Sequence, residues 1–274
     1  MEIYCSTGAF VGRINNRNHM LIPEAAKKVD CDGFEFMVCN SWYENFDKIC
    51  QDIKGTNFPV IHLDKDIGEF LSRNTPSDRE AAFMKFRENC RVAKLLGCKK
   101  SVLHLWGGLP SDGHMESNFS AYPELKKISE DYEILLTVEN IPCNTYDPLT
   151  HWRELIKIDP DVKFTVDTRF LAFHGQFDEF YQGEFMSRIE HVHVSDWSAD
   201  IMEWAKLRPI PHPGEGFIDF KEFFTQMVRF DYEGSVTLES PSMLEKGLDS
   251  ESLNADLEYV REIIAGIPRA ISLL

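Results

Sequence analysis

Three short runs repeat one pattern, a threonine, an aliphatic residue and then a carboxylate. "LLTVEN" carries Glu139, "FTVDT" carries Asp167 and "VTLES" carries Glu239. A carboxylate inside an aliphatic run costs several kcal/mol unless it is paired, hydrogen-bonded or bound to a metal. Side chains alternate across a strand, so Thr137 and Glu139 share a face, as do Thr165 with Asp167 and Thr237 with Glu239. A fourth run, "HVHVS", puts His191, His193 and Ser195 on one face and Val192 and Val194 on the other. Two Glu, one Asp and one His that converge make a site for a divalent cation. The oxygen majority favours Mn, Mg or Co, and the imidazole permits Zn. A cation also removes the mutual repulsion of three acids. Any one of these residues taken alone reads more simply as a helix cap or an Arg partner; four in register at equivalent strand ends do not.

The elements that would position them are legible in the same way. Eight aliphatic runs recur along the chain: "EIYCS", "GFEFMV", "PVIHL", "SVLHL", "ILLTVEN", "VKFTVDT", "IEHVHVSD" and "GSVTLES". Segments of helical periodicity separate them. Phe83, Phe86, Cys90, Ala93 and Leu96 share one face of a helix that opens at Thr75, Pro76 and Asp78 and stops at Gly97. Asp147 and Pro148 open another helix, Asp219 a third, and a last one carries Leu253, Leu257, Val260 and Ile264. Strands alternating with helices imply a parallel sheet, and the count of eight predicts a closed (β/α)8 TIM barrel as one domain over residues 1–274. An open doubly wound sheet would call for a Gly-rich first turn, which "STGAFVG" imitates poorly. In a barrel the acids sit at C-terminal strand ends and point into the mouth, where active sites of this architecture lie. His62 and His104 end the third and fourth strands and could supply a second metal site or substrate contacts, while Glu35 on the second strand could organise the site or join it. The irregular stretch from Trp197 to Phe217 reads as a long loop covering the site. Trp106 and Trp197 follow strands four and seven, either shielding the site or packing the rim.

Composition narrows the partners. Hydrophobic residues make up 43% of 274, enough for a large core, and no apolar stretch is long enough to propose a membrane span. The start, "MEIYCSTGAF", lacks the pattern of a secretory leader, and seven scattered cysteines without a C-x-x-C pair read as reduced thiols, so a cytoplasmic protein is expected. The net charge of −16, with no basic run, predicts no nucleic-acid partner. A homo-oligomer is compatible with this composition.

"DGFEF", "LTVEN", "TVDT", "HVHVSD", "HPGEGFIDF" and "VTLES", in that order, resemble the xylose isomerase-like barrel superfamily, in its sugar isomerase/epimerase branch. The resemblance spans about Glu2 to Glu239. It implies a metal set of Glu139, Asp167, His193 and Glu239, with the two glutamates doubling as acid and base on opposite faces of the substrate. The implied reaction is proton transfer beside the carbonyl of a small ketose or related polyhydroxy ketone, by an isomerase, an epimerase or an inosose dehydratase-like lyase. A non-catalytic sugar-binding barrel is the reading from another class. Asp196 is expected either to support the His193 ligand from behind or to meet substrate, and Arg208 and His212 either to meet substrate oxygens or to stabilise the loop. Relatives often carry His three residues after the sixth-strand Asp. Here that residue is Phe170, with His174 four positions further on. That departure, and Arg208, Pro209 and Ile210 where abasic-site endonucleases of this fold carry a D-x-H, point away from a nuclease.

Overall fold

The computed structural model describes residues 1–107, 111 and 113–268. Each aliphatic run becomes a strand: β1 Ile3–Ser6, β2 Gly33–Met37, β3 Val60–His62, β4 Lys100–Leu103, β5 Leu135–Glu139, β6 Lys163–Asp167, β7 Ile189–Val194 and β8 Ser235–Leu238. All pair parallel to their sequence neighbours, and β8 closes on β1 through Ile3 opposite Val236. The result is a single-domain (β/α)8 barrel.

Alternation sorts the side chains into two cores. Val138, Val166, Val192, Val194, Val236 and Leu238 face outward and are fully buried in the aliphatic and aromatic layer under the helices. Trp152, on the helix Pro148–Ile158, stacks on Phe164 of β6 with ring centroids 4.2 Å apart. The inward set is polar. Glu35, His62, Thr137, Glu139, Thr165, Asp167, His191, His193 and Thr237 are all buried, and the threonines tie adjacent strands together, Thr137 Oγ1 lying 2.6 Å from Thr165 Oγ1. Tyr4, Val60 and Val102 form a small separate apolar cluster.

The helix starts behave as their sequences dictate. Thr75 accepts from the Asp78 amide and Pro76 opens the helix Pro76–Leu96, which ends at Gly97 with φ +80°, a conformation that glycine tolerates. Asp147 caps Pro148–Ile158, Asp219 caps Phe220–Arg229 and Asp249 caps Ser250–Ala265. The short helices Asp66–Ser72 and Phe177–Phe180 have too few turns to show a periodicity in sequence. None of the seven cysteines forms a disulfide, and no helix among the described residues is long and apolar enough to cross a membrane. Replacing Thr75 by Ala should cost about 1 kcal/mol of unfolding free energy. Urea denaturation should show the loss as a lower midpoint at unchanged slope.

Candidate metal centre at the barrel mouth

Glu139 and Asp167 are the last residues of β5 and β6, His193 is the next to last of β7, and Glu239 directly follows β8. Strand register sets Asp167 beside His193, and His193 beside Thr237. His193 is the hub. Its Nδ1 lies 2.8 Å from Glu139 Oε1 and 3.8 Å from Glu239 Oε1, and its Nε2 lies 3.0 Å from Glu35 Oε2. Glu139, Asp167 and His193 offer ligand atoms within 4.8 Å of one another. Glu239 joins through a neighbouring group of the same tightness that contains Glu35, His62 and His193. Three of the four residues expected to hold a cation thus form one group, and Glu239 lies in a second group that shares His193. Glu239 is the most open of them, its side chain 15% exposed.

Each acid is held in a different way. Asp167 caps the helix Thr168–His174: Oδ1 accepts from the amides of Arg169 (2.7 Å) and Phe170 (3.2 Å) and from Ser195 Oγ (3.2 Å). Its other oxygen, Oδ2, is buried without a hydrogen-bond partner, 3.9 Å from the Arg169 guanidinium. Asn140, the residue after β5, braces the same residue, accepting from the Asp167 amide at 2.7 Å and donating to its carbonyl at 3.1 Å. Glu139 Oε2 sits 2.6 Å from His104 Nε2 and 3.5 Å from His62 Nε2, off the line of a proper hydrogen bond to either. His62 Nδ1 is 3.0 Å from the Leu63 carbonyl, so it carries the ring proton and leaves Nε2 as a lone pair facing Glu139. Buried acceptors facing one another with no donor between them suit a cation. The oxygen and imidazole donors fit a divalent metal.

The electrostatics agree. Burial pushes Glu139 up, but the positive charge of His193 and its hydrogen bond outweigh it and hold the carboxyl well below its usual range. Glu35 behaves likewise, burial being overcome by His193 and by the hydrogen bond from His191. Asp167 goes the other way: burial raises it to about 7, opposed by Arg169 and reinforced by Glu139 and Glu239. For His193 burial is outweighed by the charges of Glu35, Glu139 and Glu239, and the ring stays protonated well above its ordinary value. Burial lowers His104 and His191 to about 4, leaving both neutral.

The remaining expected residues separate. His62 and His104 form a cation-sized group with Glu139, on the metal side of the site. Glu35 lies in the barrel interior, bonded to two histidines, which is the organising place rather than a substrate contact. Asp196 is not available to substrate. Its Oδ2 accepts from the amides of Gly214 (2.8 Å) and Gly216 (2.9 Å), and its Oδ1 from those of Trp197 (2.7 Å) and Ile218 (3.2 Å). This explains the "PGEG" glycines: a Cβ on Gly216 would stand 2.3 Å from Asp196 Oδ1, and Gly214 has φ +91°. His212 is held by Asp256 of the last helix at 2.8 Å, and Arg208 is exposed. Neither enters the cation-sized groups found among the described residues. His174 Nε2 accepts from the Cys143 amide at 3.1 Å, so it secures the loop after β5. Trp106 donates to the Ile141 carbonyl at 2.8 Å and Trp197 packs edge-on to Phe173, both buried as rim packing. Sequence reasoning passed over Arg169. This buried arginine reaches Ser195 Oγ (3.2 Å) and the Leu207 carbonyl (2.9 Å), tying the long loop to the Asp167 corner, and its position next to "TVDT" was the available signal.

A profile of the xylose isomerase-like TIM barrel family matches residues 23–263. Inosose dehydratase 2 of Bacillus cereus is 31% identical over 94 residues, 30% of this chain and 32% of that protein. Alignment with the first curated relatives takes in 56% of the length of one and 32% of the next. Among solved structures, a D-tagatose 3-epimerase-like protein superposes with a TM-score of 0.71 at 21% identity, covering 97% of this chain and 98% of that one. The IOLI protein, in a structure with a bound zinc atom, also gives 0.71, at 12% identity and with the same coverage. These likenesses show the barrel fold.

Two expectations follow. Asp196→Asn should turn an amide N–H₂ toward backbone donors, costing about 1–3 kcal/mol. Limited proteolysis should then cut within residues 197–217 faster than in wild type, and unchanged cutting would reject the role. Uptake of Zn should displace the His193 proton at pH 6 and pH 8, but the Asp167 proton only below its value of about 7. Calorimetry in buffers of different ionisation enthalpy should therefore count about one proton more at pH 6 than at pH 8. Affinity should rise with pH across that interval.

Proposed function

Starting from the fact that the chain belongs to the xylose isomerase-like TIM barrel family, we propose that it is a metal-dependent sugar isomerase or epimerase acting at the carbon beside a ketone. A divalent cation held by Glu139, Asp167, His193 and Glu239 would polarise a substrate carbonyl and neighbouring hydroxyl, making the α-proton more acidic. Glu239 and Glu139 are the proton-transfer pair. The observation that carries this is their shared neighbour: both carboxylates approach His193 Nδ1, at 3.8 and 2.8 Å, from strands on different sides of it. Glu239 is partly open, its side chain 15% exposed, while Glu139 is buried at 2%. Neutral His104, 2.6 Å from Glu139 Oε2 but off the line of a hydrogen bond, adds no second charge beside the carboxylate.

Return of the proton to the opposite face inverts the centre, and return to the adjoining carbon isomerises the sugar. Loss of a hydroxyl from the same carbanionic species gives a dehydratase, a second reading favoured by the match to inosose dehydratase 2. The names of the two most informative relatives, a tagatose epimerase-like protein and an inosose dehydratase, support a small polyhydroxylated ketone as substrate.

Incubation with Mn or Mg and a panel of ketoses and inososes in deuterated water should place deuterium at the carbon beside the carbonyl. Glu139→Gln and Glu239→Gln should each lower the exchange rate by at least about 100-fold, the lower end of what general acid–base catalysis contributes. Exchange with water loss would assign the dehydratase. No exchange on any of these sugars, with the cation shown to be bound, would end the proposal.

A further inference from the structure

Beneath the candidate metal centre a chain of hydrogen bonds runs through the barrel interior. At its foot Lys100 Nζ donates to the Glu190 carbonyl and to Ser235 Oγ, the latter at 3.0 Å. Ser235 Oγ lies 2.7 Å from His191 Nδ1. His191 Nε2 lies 2.9 Å from both Glu35 Oε2 and Thr237 Oγ1, and the same Glu35 oxygen is 3.0 Å from His193 Nε2. The participants come from β4, β8, β7 and β2, and Ser235, His191, Glu35 and His193 are all buried.

The two ends of this chain set the direction of every bond in it. An ammonium offers donors only, and an ionised carboxylate offers acceptors only. Ser235 Oγ therefore accepts from Lys100 and turns its single proton toward His191 Nδ1. With Nδ1 filled as an acceptor, the His191 ring proton sits on Nε2, directed at Glu35 and shared with Thr237. Glu35 Oε2 takes a second N–H from His193 Nε2, and His193 is left presenting Nδ1 toward Glu139 and Glu239. A ligating histidine that donates its other N–H to a carboxylate is fixed in both tautomer and ring orientation. Here the carboxylate is itself fixed, by three residues that do not reach the mouth.

We propose that Lys100, Ser235 and His191 are positioning residues: they impose one tautomer on His191 and, through Glu35, one orientation on His193, so that Nδ1 faces the cation. The link to a cation rests on the functional reading above, whereas the tautomer of His191 does not. Barrels of this architecture usually fill the interior with bulky aliphatic side chains. A buried polar column in that place is held by the direction of its bonds, all of which at Glu35 converge on Oε2, while Oε1 is buried without a hydrogen-bond partner.

Histidine-selective ¹⁵N spectra of the metal-free protein test the first step. Wild type and Ser235→Thr, which keeps the hydroxyl, should show His191 protonated on Nε2 with Nδ1 bare. Ser235→Ala should show a tautomer mixture. Zinc affinity, measured by competition with a chromophoric chelator, should fall about tenfold in Ser235→Ala and stay near wild type in Ser235→Thr. A packing role would lower the thermal midpoint of Ser235→Ala while leaving tautomer and affinity unmoved, and that result would overturn the proposal. So would a wild-type His191 protonated on Nδ1, which can be read even if Ser235→Ala fails to fold. Zinc binding to neither wild type nor Ser235→Thr would overturn the metal reading and the link to His193, while the spectra still judge the His191 step.

Discussion

His193 is surrounded by carboxylates in a space that excludes water, and much of the molecule exists to make that arrangement tolerable. Glu35, Glu139 and Glu239 all approach its ring, and Asp167 stands beside it in strand register. One imidazolium cannot balance that many acids. Burial raises Asp167 to about 7, and the nearby charges of Glu139 and Glu239 push in the same direction. Buried charge that lacks a partner costs several kcal/mol, and taking away one member of a buried pair is worse than never having buried it. The cluster is thus short of positive charge in its protein-only form, which is the condition that a divalent cation relieves.

The barrel pays for this with its own interior. The outward faces of the strands form an ordinary aliphatic and aromatic layer, while the inward faces carry threonines, histidines and acids bonded to one another across strands. Tyr4, Val60 and Val102 supply a small apolar cluster beside them. Arg169 extends the same logic outward. From beside Asp167 it reaches the Leu207 carbonyl, so the corner of the metal centre and the long loop after β7 share one guanidinium.

The barrel was readable because period-two alternation and helix caps are local properties. Thr75, Asp147 and Asp219 each start a helix as their side-chain chemistry requires. The convergence of Glu139, Asp167, His193 and Glu239 was readable for a related reason: a barrel sends equivalent strand ends to one place, so register along the chain becomes proximity in space. What could not be read was competition for a side chain's acceptors. Asp196 follows "HVHVS" and looks available for substrate, yet four backbone amides, from Trp197 to Ile218, consume both its oxygens. His212 likewise turned to Asp256, 44 positions away. Lys100 and Ser235 are 135 positions apart, and neither residue type at a strand start announces a buried role. Arg169 was hidden by its neighbour, since the acid at Asp167 accounted for the motif without it.

The Asp196 knot also divides the chain into parts that can vary and parts that cannot. Because a single carboxylate ties Trp197 at one end to Gly214 and Gly216 at the other, the segment between them begins and finishes at a fixed gap. Within it the Leu207 carbonyl held by Arg169 and His212 held by Asp256 are two further anchors, so redesign is confined to the stretches between them. New selectivity could be grafted onto this rim as a cassette, provided the aspartate and both glycines are inherited together.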